Sequence, residues 1–212
     1  FGTQSEKGIL PVVELLGDKI NFRIRYVYYA MHGEKEITEN LREYCIQENE
    51  PDKYLDYMKC FLEGDGNYDY DADGDGVGDY ITNGNDVNTC LARAGIDTNA
   101  LETCMVDVDK EFSVTANLEN KDLWLNGNYP LFNVDADLNE KYGVGGSPTL
   151  VINGVEASSS RNPASYLNVI CSAFTNGKVP EECTEQLSSE TPSPYFGWSS
   201  TSSSSSTTAS CG

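Results

Sequence analysis

The sequence has few of the groups on which most metal and acid–base sites depend. Its 212 residues include one histidine, His32, and its seven cysteines form no Cys-x-x-Cys pair. Zinc sites need Cys and His at short spacing, so we expect none. Basic residues are also scarce, because 14 Lys and Arg stand against 34 Asp and Glu, a net charge of -20. This charge repels a phosphate backbone, so no nucleic-acid partner is expected.

Long apolar runs and export signals are absent as well. No stretch approaches the ~20 apolar residues that span a bilayer, so we expect no membrane span. The first residues lack the basic-then-apolar pattern of a signal peptide, which indicates a mature or truncated chain. Seven cysteines without metal-site spacing favour an oxidising location outside the cell. We therefore expect a secreted, extracellular or cell-surface protein.

The periodicity of apolar residues divides much of the chain into helices and one strand. Residues 4–16 have apolar side chains near helical spacing, and residues 21–29 alternate as a strand does. From about residue 36 the period is helical again, and turn residues divide this segment. The four helices expected there lie near residues 37–46, 51–62, 86–94 and 97–112.

The second half of the chain predicts a hairpin, a helix and a polar tail. Two apolar runs flank Asn153-Gly154, a pair that favours a tight hairpin turn. Asn162 caps and Pro163 opens the following helix. Residues 186–212 are rich in Ser, Thr and Pro and cannot bury enough apolar area to fold alone. This tail resembles an O-glycosylated stalk, and a plain linker is the alternative.

This order of elements, together with Tyr142-Gly-Val-Gly-Gly-Ser-Pro-Thr-Leu-Val-Ile-Asn-Gly, resembles the DsbA-like branch of the thioredoxin superfamily. The resemblance implies an α/β thioredoxin-like fold with a disulfide-bonded helical insertion. Its core would comprise residues 1–35 and 116–185, and its insertion residues 36–115. Pro148 would be the family's cis-proline. The first strand and any nucleophilic cysteine would lie upstream of residue 1, so the redox dithiol is missing.

Four cysteines fall one on each helix of the expected insertion: Cys45, Cys60, Cys90 and Cys104. Nested pairing, Cys45 with Cys104 and Cys60 with Cys90, suits helices folded back in antiparallel pairs. Four cysteines allow three connectivities, so the alternatives stay open.

The remaining three cysteines lie near the C-terminus. Cys171 and Cys183 would close a short loop after the last helix. Cys211 is left over, which predicts an intermolecular bond, a partner upstream of this chain, or a free thiol.

The acidic run within residues 65–82 is the most specific chemical signal in the sequence. Asp71-Ala-Asp-Gly-Asp-Gly-Val-Gly-Asp places hard oxygen ligands at alternate positions, as calcium loops do, and resembles a thrombospondin type 3 repeat. An EF-hand frame from Asp69 fits less well, because position twelve is Tyr80 rather than Glu. A solvated acidic loop is the alternative. The expected Ca²⁺ ligands are Asp71, Asp73, Asp75, Asp79 and the Val77 carbonyl, with a second ion at Asp65, Asn67 and Asp69.

These features favour an exported, calcium-stabilised structural or interaction subunit that assembles with copies of itself as a homo-oligomer or filament. An O-linked glycan on the tail would fit this role. One alternative is a DsbA-like thiol-disulfide oxidoreductase whose active-site cysteine lies upstream, so whether the protein is an enzyme stays open. A second is a receptor or cargo-binding domain, since plant vacuolar sorting receptors contain a similar insertion. His32 is expected to be a turn residue.

Overall fold

The computed structural model describes residues 1–63, 67–69, 79–81, 87–175 and 177–198, and these residues are mostly helical. The helices are α1 (Gly2–Leu16), α2 (Glu34–Asn49), α3 (Pro51–Leu62), α4 (Val87–Ala94), α5 (Thr98–Phe112), α6 (Val114–Glu119), α7 (Ala136–Tyr142) and α8 (Pro163–Ser172). The strands are β1 (Asn67–Asp69), β2 (Asp79–Ile81), β3 (Leu150–Ile152) and β4 (Val155–Ala157).

The expected thioredoxin-like α/β fold is wrong for this chain. Strands in the described residues form two separate antiparallel pairs, β1 with β2 and β3 with β4. An α/β fold instead requires one larger sheet with helices on its faces. The helices pack mainly against one another, and α2 contacts both α3 and α5.

The strand predicted over residues 21–29 is the main local error. The segment is extended, but along one of its edges buried polar side chains take the place of a neighbouring strand. The Ile24 N–H donates to Gln47 Oε1 over 2.8 Å, and Gln47 Nε2 donates back to the Ile24 carbonyl over 3.0 Å. An amide side chain thus makes the two bonds that a neighbouring strand would make.

Two side chains near α7 continue this edge of the extended segment. Asp135 accepts from the Tyr26 N–H over 2.9 Å. Asn139 accepts from the Tyr28 N–H and donates to the Tyr26 carbonyl. A single bridge between Tyr29 and Leu131 is the only β pairing of the segment within the described chain. The alternating sequence therefore predicted an extended conformation correctly and a sheet incorrectly.

The four helices expected between residues 37 and 112 are confirmed as α2, α3, α4 and α5. Their turn residues act as predicted, because Asp97 caps α5 by accepting from the N–H groups of Asn99 and Ala100. Gly95, with φ of 68°, lies just after α4 in a conformation that favours glycine.

The hairpin and the last helix are also as predicted. The turn between β3 and β4 holds Asn153 and Gly154, which both have positive φ, as a type I′ turn requires. Asn162 Oδ1 accepts from the Ser165 N–H and caps α8, which begins at Pro163.

Two apolar clusters stabilise the molecule. The larger joins α2, α3, α4 and α5 to the extended segment and residues 132–134. The smaller joins α1 to α8, and β3 packs against it. Among their most buried side chains are Leu10, Ile46, Tyr57, Met58 and Phe132 in the first, and Val12 and Leu16 in the second.

Candidate functional site

The expected calcium ligands fall largely on residues that the structure does not describe. Asp65, Asp71, Asp73, Asp75 and Val77 lie outside the described residues. Three further candidates, Asn67, Asp69 and Asp79, lie in β1 and β2, where the backbone is described.

The β1–β2 pairing joins the two ends of residues 70–78, here called the acidic segment. Asn67 lies opposite Ile81, and Asp69 lies opposite Asp79. Residues directly opposite each other in an antiparallel pair have Cα atoms about 4.5–5.5 Å apart. The two ends of the segment 70–78 are therefore held next to each other by main-chain hydrogen bonds.

A disulfide joins the helices on either side of this segment. Cys60 of α3 is bonded to Cys90 of α4, with 5.4 Å between their Cα atoms, and the two helices pack together. Arg93 reinforces the junction, because its guanidinium contacts Glu63 over 3.4 Å and the Cys60 sulfur over 3.8 Å. The acidic segment is thus flanked by a covalent bond and a β pair.

The other bonded cysteines pair as the sequence analysis preferred. Cys45 of α2 is bonded to Cys104 of α5, and Cys171 of α8 to Cys183. Cys211 lies outside the described residues. The Ser147–Pro148 peptide bond is cis, as the family resemblance implied for Pro148.

A cluster of carboxyl and phenol groups between the helices was not expected from the sequence. Glu39 Oε1 accepts from the Tyr57 hydroxyl over 2.6 Å, and its other oxygen pairs with Arg42. Glu43 Oε2 accepts from the Tyr54 hydroxyl over 3.0 Å. The Tyr26 hydroxyl, at 3.4 Å, contacts the same oxygen.

Glu6 of α1 faces this cluster and titrates near neutrality. Loss of hydration raises the pKa of Glu6 to about 7, an effect that the Phe1 ammonium opposes and the charge of Glu39 reinforces. The pKa of Glu43 is raised well above its ordinary value by burial and by the charges of Glu6 and Glu39. Hydrogen bonds from Tyr54 and Tyr26 only partly offset this rise.

This arrangement can hold protons in the interior of the protein. Glu39 is compensated by Arg42, whereas neither Glu6 nor Glu43 forms an ion pair with a basic side chain among the described residues. The charge of Glu6 raises the pKa of Glu43, so these two carboxyls favour sharing protons over carrying two charges. Both carboxyls therefore keep their protons to a higher pH than an ordinary glutamate does, because their pKa values are raised.

The sequence contained only a weak signal for this cluster. Glu39 and Glu43 lie four residues apart on α2, on the same face as the buried Ile46. Acidic residues at such positions usually belong to a solvated face. Their burial is evident only from the tyrosines of other segments that contact them in the structure.

A groove of about 470 Å³ lies between α2, α5 and α6. Ile37, Leu41, Met105, Val114 and Leu118 provide its apolar lining, and charged residues such as Glu119 also border it. No catalytic cluster follows from these side chains. Among the residues that the structure describes, no group of three or more His, Cys, Asp or Glu is arranged to hold a metal ion.

Comparison with known proteins identifies no relative of this chain. No family model matches it, and neither the curated proteins nor the solved structures include a match. Within the described part of the chain, no helix is long and apolar enough to cross a membrane. Conclusions about function therefore rest on the residues of this chain alone.

Proposed function

We propose that the protein is an exported, calcium-stabilised and disulfide-bonded helical domain that serves as a structural or interaction subunit. It has no redox dithiol of its own in this sequence, since none of its cysteines forms a Cys-x-x-Cys pair. The observation that supports this role best is the closure of the acidic segment by the β1–β2 pairing and the Cys60–Cys90 disulfide.

Electrostatics explains why such a segment needs a cation. Asp71, Asp73 and Asp75 alternate in a protein of net charge -20, and carboxylates this crowded repel one another. Calcium binds six to eight oxygen ligands and would convert this repulsion into attraction. Because the ends of the segment are already fixed, less conformational entropy is lost when the ion binds.

The disulfides support an oxidising location for this role. Three bonds connect residues 12, 30 and 59 positions apart, so they tie both local and distant parts of the chain. Such bonds persist in secreted proteins and are rare in reducing compartments. Extracellular calcium is abundant, so the ion would act as a permanent stabiliser rather than a signal.

The test is thermal unfolding of the full chain with calcium or with a chelator. A single site with a dissociation constant of ~0.1 mM would add about 1.4 kcal/mol at ~1 mM calcium. The Asp73→Asn and Asp75→Asn double variant should lose this increment. Asp107→Asn, at an exposed position on α5, should keep it.

Isothermal titration with CaCl₂ provides the second measurement. We expect saturable binding by the parent and by Asp107→Asn, and none by the double variant. Equal unfolding temperatures of the parent in calcium and in chelator, together with no binding heat, would refute the calcium role.

A further inference from the structure

The C-terminal segment 188–198, here called the strap, lies against the body of the protein. Its Ser-, Thr- and Pro-rich composition predicts a tail without structure of its own, but the strap is held at both ends. The Ser188 carbonyl accepts from the Ala164 N–H over 3.0 Å at the start of α8. The Gly197 N–H donates to the Leu62 carbonyl over 2.8 Å at the end of α3.

A buried lysine on α1 recognises the main chain of the strap. Lys7 is 3% exposed, and its ammonium donates to the carbonyls of Tyr195 over 2.6 Å and Gly197 over 3.0 Å. No carboxylate forms an ion pair with Lys7 in the described chain. Gln4, one turn earlier, donates to the Pro192 carbonyl over 2.8 Å. One face of α1 therefore binds the main chain of the strap at Pro192, Tyr195 and Gly197.

Two aromatic residues anchor the end of the strap. Phe196 meets the Phe61 ring edge to face, with 5.2 Å between the centroids, and packs against the larger apolar cluster. The Trp198 indole N–H donates to the Lys59 carbonyl over 3.3 Å. We define the strap groove as the surface formed by these partners. Its residues are Gln4, Lys7, Lys59, Phe61 and Leu62.

The connection between the first anchor and the strap groove is short and exposed. Residues 189–191 are exposed, and their one hydrogen bond among the described residues is local, from the Glu190 N–H to Ser188 Oγ. Pro192 and Pro194 then each fix their own φ at about −65°, which limits the conformations of the backbone there. The strap can thus leave its own groove without breaking a helix or a strand.

We propose that the strap groove is also the docking site for the strap of a second copy of this chain, which joins the copies by exchange. The peptide that fits the groove is already seated in it, and the same contacts form when the peptide comes from another copy. Exchange of an identical element is a low-cost route to oligomers for this reason. This inference rests on the proposed role as a self-assembling subunit and identifies the surface that it uses.

Protein concentration determines which arrangement prevails. At low concentration the strap of the same chain has the higher effective concentration and occupies the groove. At high concentration exchange becomes competitive, because the number of contacts is conserved. The net charge of -20 opposes association, and salt weakens that repulsion. Dimers should therefore increase with both protein concentration and ionic strength.

The test is a complementation experiment in a Cys211→Ser background, which removes disulfides made by the tail. One variant, Lys7→Met, damages the groove but keeps an intact strap. The other, Phe196→Ala with Trp198→Ala, damages the strap but keeps an intact groove. Tyr195→Ala is the matched control, since this side chain is 74% exposed and only its carbonyl binds Lys7. Sedimentation velocity over a concentration series gives the dimer fraction.

We expect concentration-dependent dimers from the parent and from Tyr195→Ala, and monomers from each damaged variant alone. An equimolar mixture of the two damaged variants should dimerise, because the intact strap of one can occupy the intact groove of the other. A parent that stays monomeric at every concentration would overturn the proposal. So would damaged variants that dimerise alone as well as the parent does.

Folding and calcium binding are measured on the same samples. Circular dichroism must show native helix content. If a variant fails this check, Gln4→Ala replaces Lys7→Met as the groove variant, and Gly197→Ala replaces Phe196→Ala with Trp198→Ala as the strap variant. Gly197 has φ of 93°, which alanine tolerates poorly, so this change disturbs the strap alone. A parent that binds calcium but stays monomeric refutes exchange only, whereas a parent that dimerises but binds no calcium refutes the calcium role only.

Discussion

Replacement of Glu6 by glutamine should stabilise the protein at neutral and alkaline pH. Glutamine has nearly the same shape as glutamate but carries no charge, so it removes the cost of an ionised carboxyl facing Glu39 and Glu43. Loss of hydration raises the pKa of Glu6 from 4.5 to about 7. The folded protein therefore binds this proton more tightly than the unfolded chain does.

The sign and size of the effect follow from that difference. A carboxyl with a raised pKa favours the folded state fully below its unfolded pKa, and the benefit is lost as pH rises to the folded value. The rise from 4.5 to about 7, at about 1.4 kcal/mol for each pH unit, corresponds to about 3 kcal/mol. The Glu6→Gln variant should thus match the parent near pH 4 and exceed it by about 3 kcal/mol above pH 8.

Urea unfolding at several pH values measures the difference between variant and parent. The subtraction cancels groups that titrate equally in both, and Glu43, whose pKa the charge of Glu6 raises, adds to the difference. Glu102→Gln is the control, because Glu102 is exposed on α5. Its difference from the parent should stay near zero at every pH. A Glu6→Gln difference that is flat with pH, or that grows toward acid, would refute the assignment of a raised pKa to Glu6.

Two further predictions concern the packing of the helices. Gln47→Leu removes both hydrogen bonds to the main chain of Ile24, and the Ile24 N–H and carbonyl lose this partner. We therefore expect the free energy of unfolding, measured with urea, to fall by about 2–3 kcal/mol. Asn49→Ala, at the exposed end of α2, should change stability little, and equal effects of the two substitutions would contradict this role. Replacement of Cys60 and Cys90 by serine removes a disulfide between residues 30 positions apart. The free energy of unfolding should fall by about 3–4 kcal/mol. Calcium affinity should fall too, and unchanged affinity would show that the disulfide does not support the acidic segment.

Local signals predicted the helices and the hairpin well because neighbouring residues determine them. Helix caps such as Asp97 and Asn162, and the Asn153-Gly154 turn, act within a few residues of where they stand. The cysteine pairing also followed from local structure, since one cysteine on each helix suits helices folded into antiparallel pairs.

The error over residues 21–29 arose from partners that are distant in sequence. Alternating apolar residues predict an extended backbone but do not say what pairs with it. Asp135 and Asn139, more than 100 residues away, provide the hydrogen bonds that a strand would otherwise supply. No local pattern indicates that these two residues take the place of a neighbouring strand. Because an alternating sequence usually belongs to a sheet, we expected a sheet.

The buried acids were missed for a related reason. Whether Glu39 and Glu43 are solvated or enclosed depends on Tyr57 and Tyr54, which α3 contributes to the interface with α2. In a chain with 34 acidic residues, composition makes any given glutamate a surface residue by default. The strap was missed because its contacts are mostly made by main-chain carbonyls, which leave no trace in the sequence.

Neutralisation of acidic groups connects the separate features of this protein. Arg42 compensates Glu39, protons compensate Glu6 and Glu43, and calcium would compensate the segment around Asp73. The interior carboxyls and the calcium ligands respond to pH in opposite directions. Acid protonates the calcium ligands, which weakens calcium binding, whereas protonation of the interior carboxyls removes their repulsion. Calcium should therefore contribute most to stability at alkaline pH, where the interior cluster costs most. An acidic chain with both the interior carboxyls and the calcium site would keep its stability nearly constant over a wider pH range than either feature alone permits.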